Sequence, residues 1–187
     1  LSEVTTNKQL RKALREKGAI EEFQRINERY TYLTDQRDDV ETAKKELEDV
    51  IAQITGEMKT IFAREFENIN QAFQQTFQEL FGGGRAALEL EDPDDILNCG
   101  IEIKVQPPGK ALKVLSLLSG GEKAFVAIAL YFAILKVRPT PFVVMDEIEA
   151  ALDDNNVVRF ARYMRSMSDK TQFIVITHRR GTMEEAD

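Results

Sequence analysis

From Ile26 onward apolar residues recur in an alternating three-and-four rhythm: Ile26, Tyr30, Leu33, then Val40, Leu47, Ile51, Ile54, Met58 and Ile61. That rhythm is the heptad seam of a helix that lays one stripe against a partner helix. Arg37 and Lys44 fill two seam positions, the flanks are dense in Glu, Lys and Gln, and the first proline is Pro93. A long exposed helix is therefore expected. The rhythm passes into Phe62, Phe66, Phe73, Phe77 and Phe81, where a coiled coil would turn into a domain core, and Gly82, Gly83 and Gly84 stop it.

Beyond the glycines the period changes. Residues Ala86 to Leu90 and Gly100 to Gln106 read as two strands of an antiparallel pair, separated by the turn-forming Asp92, Pro93, Asp94 and Asp95. A helix is expected from Gly120 to Lys136, a strand over Phe142 to Met145, a helix from about Asn155 to Met167 and a strand over Phe173 to Ile176. Strand, helix, strand in that order predicts a parallel βαβ unit. No closing element is evident after it, as if the fold continued elsewhere.

Bulk properties narrow the function. The 25 basic and 32 acidic residues leave a net charge of -7, so no uniform phosphate-attracting field surrounds the chain and any DNA contact must be local or borrowed. Cys99 is the single cysteine, which excludes a disulfide framework and a cysteine-rich zinc site and fits a reducing cytosol. No apolar run approaches the ~20 residues needed to span a bilayer, so a soluble intracellular protein is expected.

Three segments carry chemistry. In Leu118-Ser119-Gly120-Gly121-Glu122-Lys123, Ser119 and Glu122 can form a capping box. A capping box does not need the two glycines, each of which costs up to ~1 kcal/mol of helix propensity relative to alanine. Their presence implies close approach to the backbone, and the bared amides with the helix dipole and the Ser119 hydroxyl suit a phosphate. In Phe142 to Glu147 an apolar strand ends in two carboxylates. Ligands of open α/β sheets sit at the carboxyl ends of strands, so Asp146 can hold Mg²⁺ through its waters while Glu147 orients and deprotonates an attacking water. In Ile174 to His178 the neighbouring strand ends in a histidine that the βαβ geometry brings near Asp146 and Glu147, where it can sense a γ-phosphate. Asp153 can be the N-cap of the next helix or part of a loop that faces another subunit, and the two uses can coexist. A P-loop is missing: it needs Gly, four residues, then Gly-Lys-Ser/Thr, whereas the one Gly-Lys pair, Gly109 and Lys110, precedes Ala111.

Taken in order, "LSLLSGGEKA", "FVVMDEIEAALDD" and "FIVITHRRGTMEEAD" resemble the signature motif, the Walker B motif with D-loop, and the switch-histidine loop of the SMC (structural maintenance of chromosomes) family, most closely its bacterial members. The likeness extends back through "FGGGRAALELEDPDD" and "GIEIKVQPPGK". It implies an α/β fold: the C-terminal lobe of an ABC-type ATPase head, a parallel βαβ sheet portion plus a small antiparallel β element, with a long N-terminal coiled-coil helix. Residues 1–80 would be the arm and neck helix and 81–187 the lobe. Asp146 would coordinate Mg²⁺, with Glu147 the catalytic base and His178 the switch histidine for the ATP of the same head. Ser119, Gly120, Gly121 and Glu122 would meet the γ-phosphate of ATP on a second head, with Asp153 at the junction.

The resemblance further implies that the P-loop lies in an N-terminal half of the head, so that this chain alone does not hydrolyse ATP. The implied partners are that half, a second head in a homodimer, a kleisin subunit (segregation and condensation protein A) at neck or cap, and DNA, in chromosome condensation and segregation within the cytoplasm, at the nucleoid and away from any membrane. Fewer residues precede "AIEEF" than in relatives, so either residues 1–17 are expected to be displaced or the linkage to be incomplete, and the family's final strand is expected to lie beyond this segment. A coiled-coil ABC ATPase of DNA repair, RecN-like or RecF-like, shares the general motifs and is the alternative enzyme. A structural coiled-coil adaptor is the alternative of another class.

Overall fold

The computed structural model describes residues 2–186, with side chains from residue 8 onward except at 13 and 14. The chain divides into two compact units, Leu1–Glu57 and Met58–Asp187. Helix α1 covers Ser2–Phe81. It is unbroken through Gly18 and Ala19. In the first unit the expected seam is bare: Ile26, Tyr30, Leu33, Val40, Leu47, Ile51 and Ile54 are all exposed. A helix of this kind leaves its apolar stripe in water unless another helix covers it.

The second unit holds the remaining elements. These are β1 (Arg85–Leu90), β2 (Ile101–Gln106), β3 (Lys113–Val114), α2 (Gly120–Val137), β4 (Phe142–Asp146), α3 (Asp154–Ser166), β5 (Gln172–Ile176) and α4 (Arg180–Met183), with a single 3₁₀ turn over Leu115–Leu117. Expected boundaries hold to within a residue or two. Three elements were not anticipated: β3, the 3₁₀ turn and α4. Each is too short to show a period, and α4 depends on tertiary contact, with Glu185 just beyond it meeting Arg162 of α3 at 3.1 Å. The final segment is therefore not without an element, as had been expected.

The phenylalanine stretch does become a core. Phe73, Phe77 and Leu80 of α1 are buried, together with Phe125 and Phe132 of α2 and Phe160 of α3. Phe77 stacks on Phe81 at 4.0 Å, and Phe81 meets Phe125 at 4.6 Å. Phe132 lies at the centre, 5.8 Å from Phe160, 5.1 Å from Tyr163 and 6.3 Å from Phe173. Offset and edge arrangements of this kind add to what area burial supplies.

Helix α1 ends because Gly82 takes φ 71° and the Gly83 amide donates back to the Gln78 carbonyl at 2.9 Å. That six-to-one bond is the Schellman ending, in which a left-handed residue stops the helix. Arg159 reinforces it by donating to the Phe81 carbonyl at 2.9 Å. Gly84 has φ 87°, and a Cβ there would lie 2.3 Å from the Gln106 carbonyl. Only glycine lets the chain turn so tightly into β1.

Strands β1, β2 and β3 form an antiparallel sheet in that order, Arg85 facing Gln106 and Leu90 facing Ile101. Asn70 of α1 accepts the Leu88 amide at 2.8 Å and ties helix to sheet. Strands β4 and β5 form a separate parallel pair with Phe142 opposite Gln172 and Asp146 opposite Ile176, as the βαβ reading requires. Val143 and Met145 are buried on the side that packs into the core. The other side is bare: Phe142 is 60% exposed, Val144 58%, Ile174 46% and Ile176 51%.

Because Phe132 touches three aromatic partners, Phe132→Ala in this chain is expected to lower the unfolding free energy by about 3–5 kcal/mol in urea denaturation. Phe142→Ala, on the uncovered face, should change it by less than about 0.5 kcal/mol. Equal losses in the two variants would show that the core is not where the aromatic contacts place it.

Candidate functional site

The first group of predicted residues sits at the start of α2. Ser119 is the N-cap in extended conformation, and the capping box forms in full. Its hydroxyl accepts the Glu122 amide at 3.4 Å, while the Glu122 carboxylate accepts the Ser119 amide at 3.0 Å and its hydroxyl at 2.8 Å. The other Glu122 oxygen accepts Lys110 Nζ at 2.7 Å. Lys110, then the Ser119 amide and hydroxyl, hold the Glu122 carboxyl down to about 2 from the usual 4.5. It is ionised throughout the physiological range.

The two glycines have different reasons. A Cβ on Gly121 would fall 2.9 Å from the Ala151 carbonyl, so glycine there lets the loop after β4 lie against the helix end. A Cβ on Gly120 would meet nothing within 4 Å. The close approach inferred from the pair is thus made at Gly121 by the chain itself, and at Gly120 the backbone stays open to a ligand.

The second group sits where β4 and β5 end. Parallel pairing in register puts Asp146 opposite Ile176, so both chains leave the sheet on the same side. The Glu147 amide donates to the Ile176 carbonyl at 2.9 Å. Glu147 has φ 47°, the one non-glycine positive value among the described residues. A residue of this type in the left-handed region costs free energy and persists where its surroundings hold it. The outcome is that the Glu147 carboxylate and His178 Nε2 meet directly, with the His178 side chain still 81% exposed. An imidazole and a carboxylate in contact at a strand end can orient a water and take its proton.

Asp146 is exposed beside them. Among the described residues no three Asp, Glu, His or Cys side chains converge as a ready metal cage. A single strand-end carboxylate suits a hard cation that keeps several waters and draws its other ligands from a substrate phosphate. Asp153 caps α3, accepting the Asn156 amide at 2.9 Å and its side-chain amide at 2.8 Å, which is the N-cap alternative that the sequence left open.

Five further residues were not marked by the sequence. Glu149 is fully buried, and one of its oxygens accepts the hydroxyls of Thr177 and Thr182. Arg179 donates to the Leu152 carbonyl at 3.1 Å and to Asp154 at 2.8 Å, clamping the end of β5 onto the loop after β4. In the string Glu147-Ile148-Glu149 nothing marks the second acid as buried, and Thr177, Arg179 and Thr182 carry no spacing signal. Lys110 was noted only for failing to complete a P-loop.

These features fit what comparison with known proteins finds. The family model described as "RecF/RecN/SMC N terminal domain" matches residues 2–187. That description names an N-terminal domain, where the sequence analysis expects the C-terminal half of a head. The chromosome partition protein Smc of Bacillus subtilis is 58% identical over 170 residues, covering 91% of this chain, and that of Desulfitobacterium hafniense is 54% identical over the same length. The chain spans 14% of the length of each of these relatives. Among solved structures, the Smc head domain with an extended coiled coil bound to the C-terminal domain of ScpA, from Pyrococcus furiosus, superposes with a TM-score of 0.70 at 43% identity, over 89% of this chain and 42% of that one. An Smc head bound to the C-winged helix domain of ScpA gives 0.66 at 47% identity, over 71% of this chain and 40% of that one. With its α/β head fold, the family model over residues 2–187 and these relatives, the chain belongs to the RecF/RecN/SMC family as part of an SMC-type head.

Proposed function

We propose that this chain is the half of an SMC ATPase head that follows the coiled-coil arm, and that it acts in chromosome condensation and segregation by ATP-dependent engagement of two heads on DNA. The observation that carries this reading is the meeting of Glu147 with His178 at the carboxyl ends of two adjacent parallel strands. It is the arrangement of a hydrolytic base with an orienting imidazole, at the place where open α/β sheets bind their ligands. The identity of 58% to a chromosome partition protein favours the SMC assignment over a RecN-like or RecF-like one.

The choice of half rests on residues. A long helix precedes the globular part, and the motifs in it follow the order signature, Walker B, switch histidine. No P-loop pattern occurs anywhere in the sequence. The bare face of Phe142, Val144, Ile174 and Ile176 supports the same reading. Parallel sheets are covered on both faces, and two strands alone make a poor sheet, so the P-loop half of the head is the natural cover.

In this scheme Glu147 accepts the proton of the attacking water, and His178 holds Glu147 and meets the γ-phosphate. Asp146 would hold Mg²⁺, which when bound neutralises phosphate charge. Ser119, Gly120 and Gly121 present a helix N-terminus to the γ-phosphate of ATP on a second head, Glu122 keeps that turn in shape, and Asp153 lies at the junction. ATP held between two heads then joins them, since a ligand that binds only the engaged state stabilises it, and hydrolysis parts them. The scheme extends to a kleisin at the neck, roughly residues 45–80, or at the outer surface of the lobe, a reading supported by the ScpA domains bound to the Smc heads of two relatives. Association with the nucleoid follows from the same assignment.

Mixing this chain with the P-loop half is expected to give slow ATPase activity that neither part has alone. Glu147→Gln should abolish turnover, leave ATP binding intact and stabilise head dimers on a sizing column; full turnover in that variant would remove Glu147 as the base. Ser119→Arg should spare ATP binding and prevent dimer formation, and ATP-dependent dimers that survive it would remove the second-head role of that turn.

A further inference from the structure

Glu149 is a buried acid that the scheme above does not use. It lies two residues after Glu147, on the loop that leaves β4, and its side chain is fully buried. One oxygen, Oε1, accepts the hydroxyl of Thr177 and, at 3.1 Å, that of Thr182. The Thr177 hydroxyl in turn accepts the Arg179 amide at 2.9 Å. The bonded residues 177 and 179 flank His178 on both sides. The second oxygen, Oε2, is buried with no hydrogen-bond partner.

A buried carboxyl with one oxygen unsatisfied is a poor way to fill a core, because an unmade bond to a buried polar group costs more than a well-packed apolar side chain would. Its retained contacts all run in one direction, from the loop after β4 to the segment after β5. Those two segments carry Glu147 and His178. Glu147 in addition holds a left-handed backbone that must be fixed from outside.

We propose that Glu149 is a positioning residue, which by accepting Thr177 and Thr182 locks the two strand-end segments together and so holds Glu147 against His178. The inference rests on the ATPase reading and adds to it a buried residue that acts through its neighbours. It acts through the shape of the two segments, so it governs the chemical step and not nucleotide affinity.

The test uses the head reconstituted from this chain and the P-loop half. Glu149→Gln keeps an acceptor oxygen for both threonines, whereas Glu149→Met keeps the volume and removes the acceptor. The Met variant is expected to lose ~10- to 100-fold in kcat, the scale on which small misplacements of catalytic groups act, with KM for ATP within ~2-fold of the parent. The Gln variant should keep kcat within ~3-fold. A structural readout comes from the chain itself: His178 is the one histidine, so its imidazole NMR signals are unambiguous. They should move in Glu147→Gln and in Glu149→Met and stay in Glu149→Gln.

A Met variant with parental kcat and an unmoved imidazole overturns the proposal, as does equal loss in Met and Gln. If the Met variant does not fold, Thr177→Val and Thr182→Val remove the donors one at a time, and parental kcat in both overturns it equally. Full turnover in Glu147→Gln would instead overturn the base assignment, whereas an inactive Glu147→Gln beside a normal Glu149→Met removes the positioning role alone.

Discussion

A helix that is apolar on most sides must be buried on most sides, and α2 imposes that constraint on everything around it. Phe125, Val126, Ile128, Ala129, Phe132, Ala133 and Leu135 are all buried. They point in several directions around the axis, so no single partner could cover them. The end of α1 and helix α3 supply the cover through Phe77, Phe81 and Phe160, while β5 contributes Phe173. Once α2 is wedged among these elements its N-terminus has nowhere to go except the open edge of the unit, beside the loop that follows β4. The contact of Gly121 with the Ala151 carbonyl records that placement. The Ser119 turn and the loop after β4 thus lie against each other because one apolar helix had to be buried.

The same core leaves other surfaces unfinished. Both faces of a parallel sheet normally lie under helices, yet α2 and α3 cover one face of the β4–β5 pair and the other displays four large apolar side chains. In the first unit the heptad seam is similarly bare. The two bare surfaces ask for different covers. A seam with a 3.5-residue period suits a helix alongside it, whereas a flat alternating face suits further strands or the helices that cross them. The two surfaces thus support the proposed need for both an arm helix and a second half of the head.

What could be read from the sequence was whatever repeats or contrasts strongly. The heptads, the glycine stop after Phe81, the apolar runs ending in Asp146 and Ile176, and the capping box of Ser119 with Glu122 all declare themselves within a few residues, and all reappear in the structure. Features made by contact between distant segments did not declare themselves. Lys110 reaches Glu122 across a loop and β3, Glu149 meets Thr177 and Thr182 from another strand end, and Arg179 closes on Leu152 and Asp154. Glu149 makes the case plainly. Glu147 and Ile148 precede it and two alanines follow, a context with no mark of a buried acid, and its burial comes with the contacts to Thr177 and Thr182.

The two functional groups are also held by different means, and this decides which can move. The Ser119 turn is bonded within itself and to Lys110, and it begins a helix whose body is locked in the core, so it is held rigidly. Glu147 and His178 stand on segments that have left the sheet, one of them in a left-handed conformation, joined by their own side chains, by the Glu147 amide on the Ile176 carbonyl, and by the bonds of Glu149 to Thr177 and Thr182. Side-chain links between irregular segments open at lower free energy than a core helix does. The proposed scheme, in which a head binds ATP, waits for a second head and only then hydrolyses, calls for that division: a rigid face for docking, and a Glu147–His178 pair whose alignment depends on a few bonds that engagement can tighten.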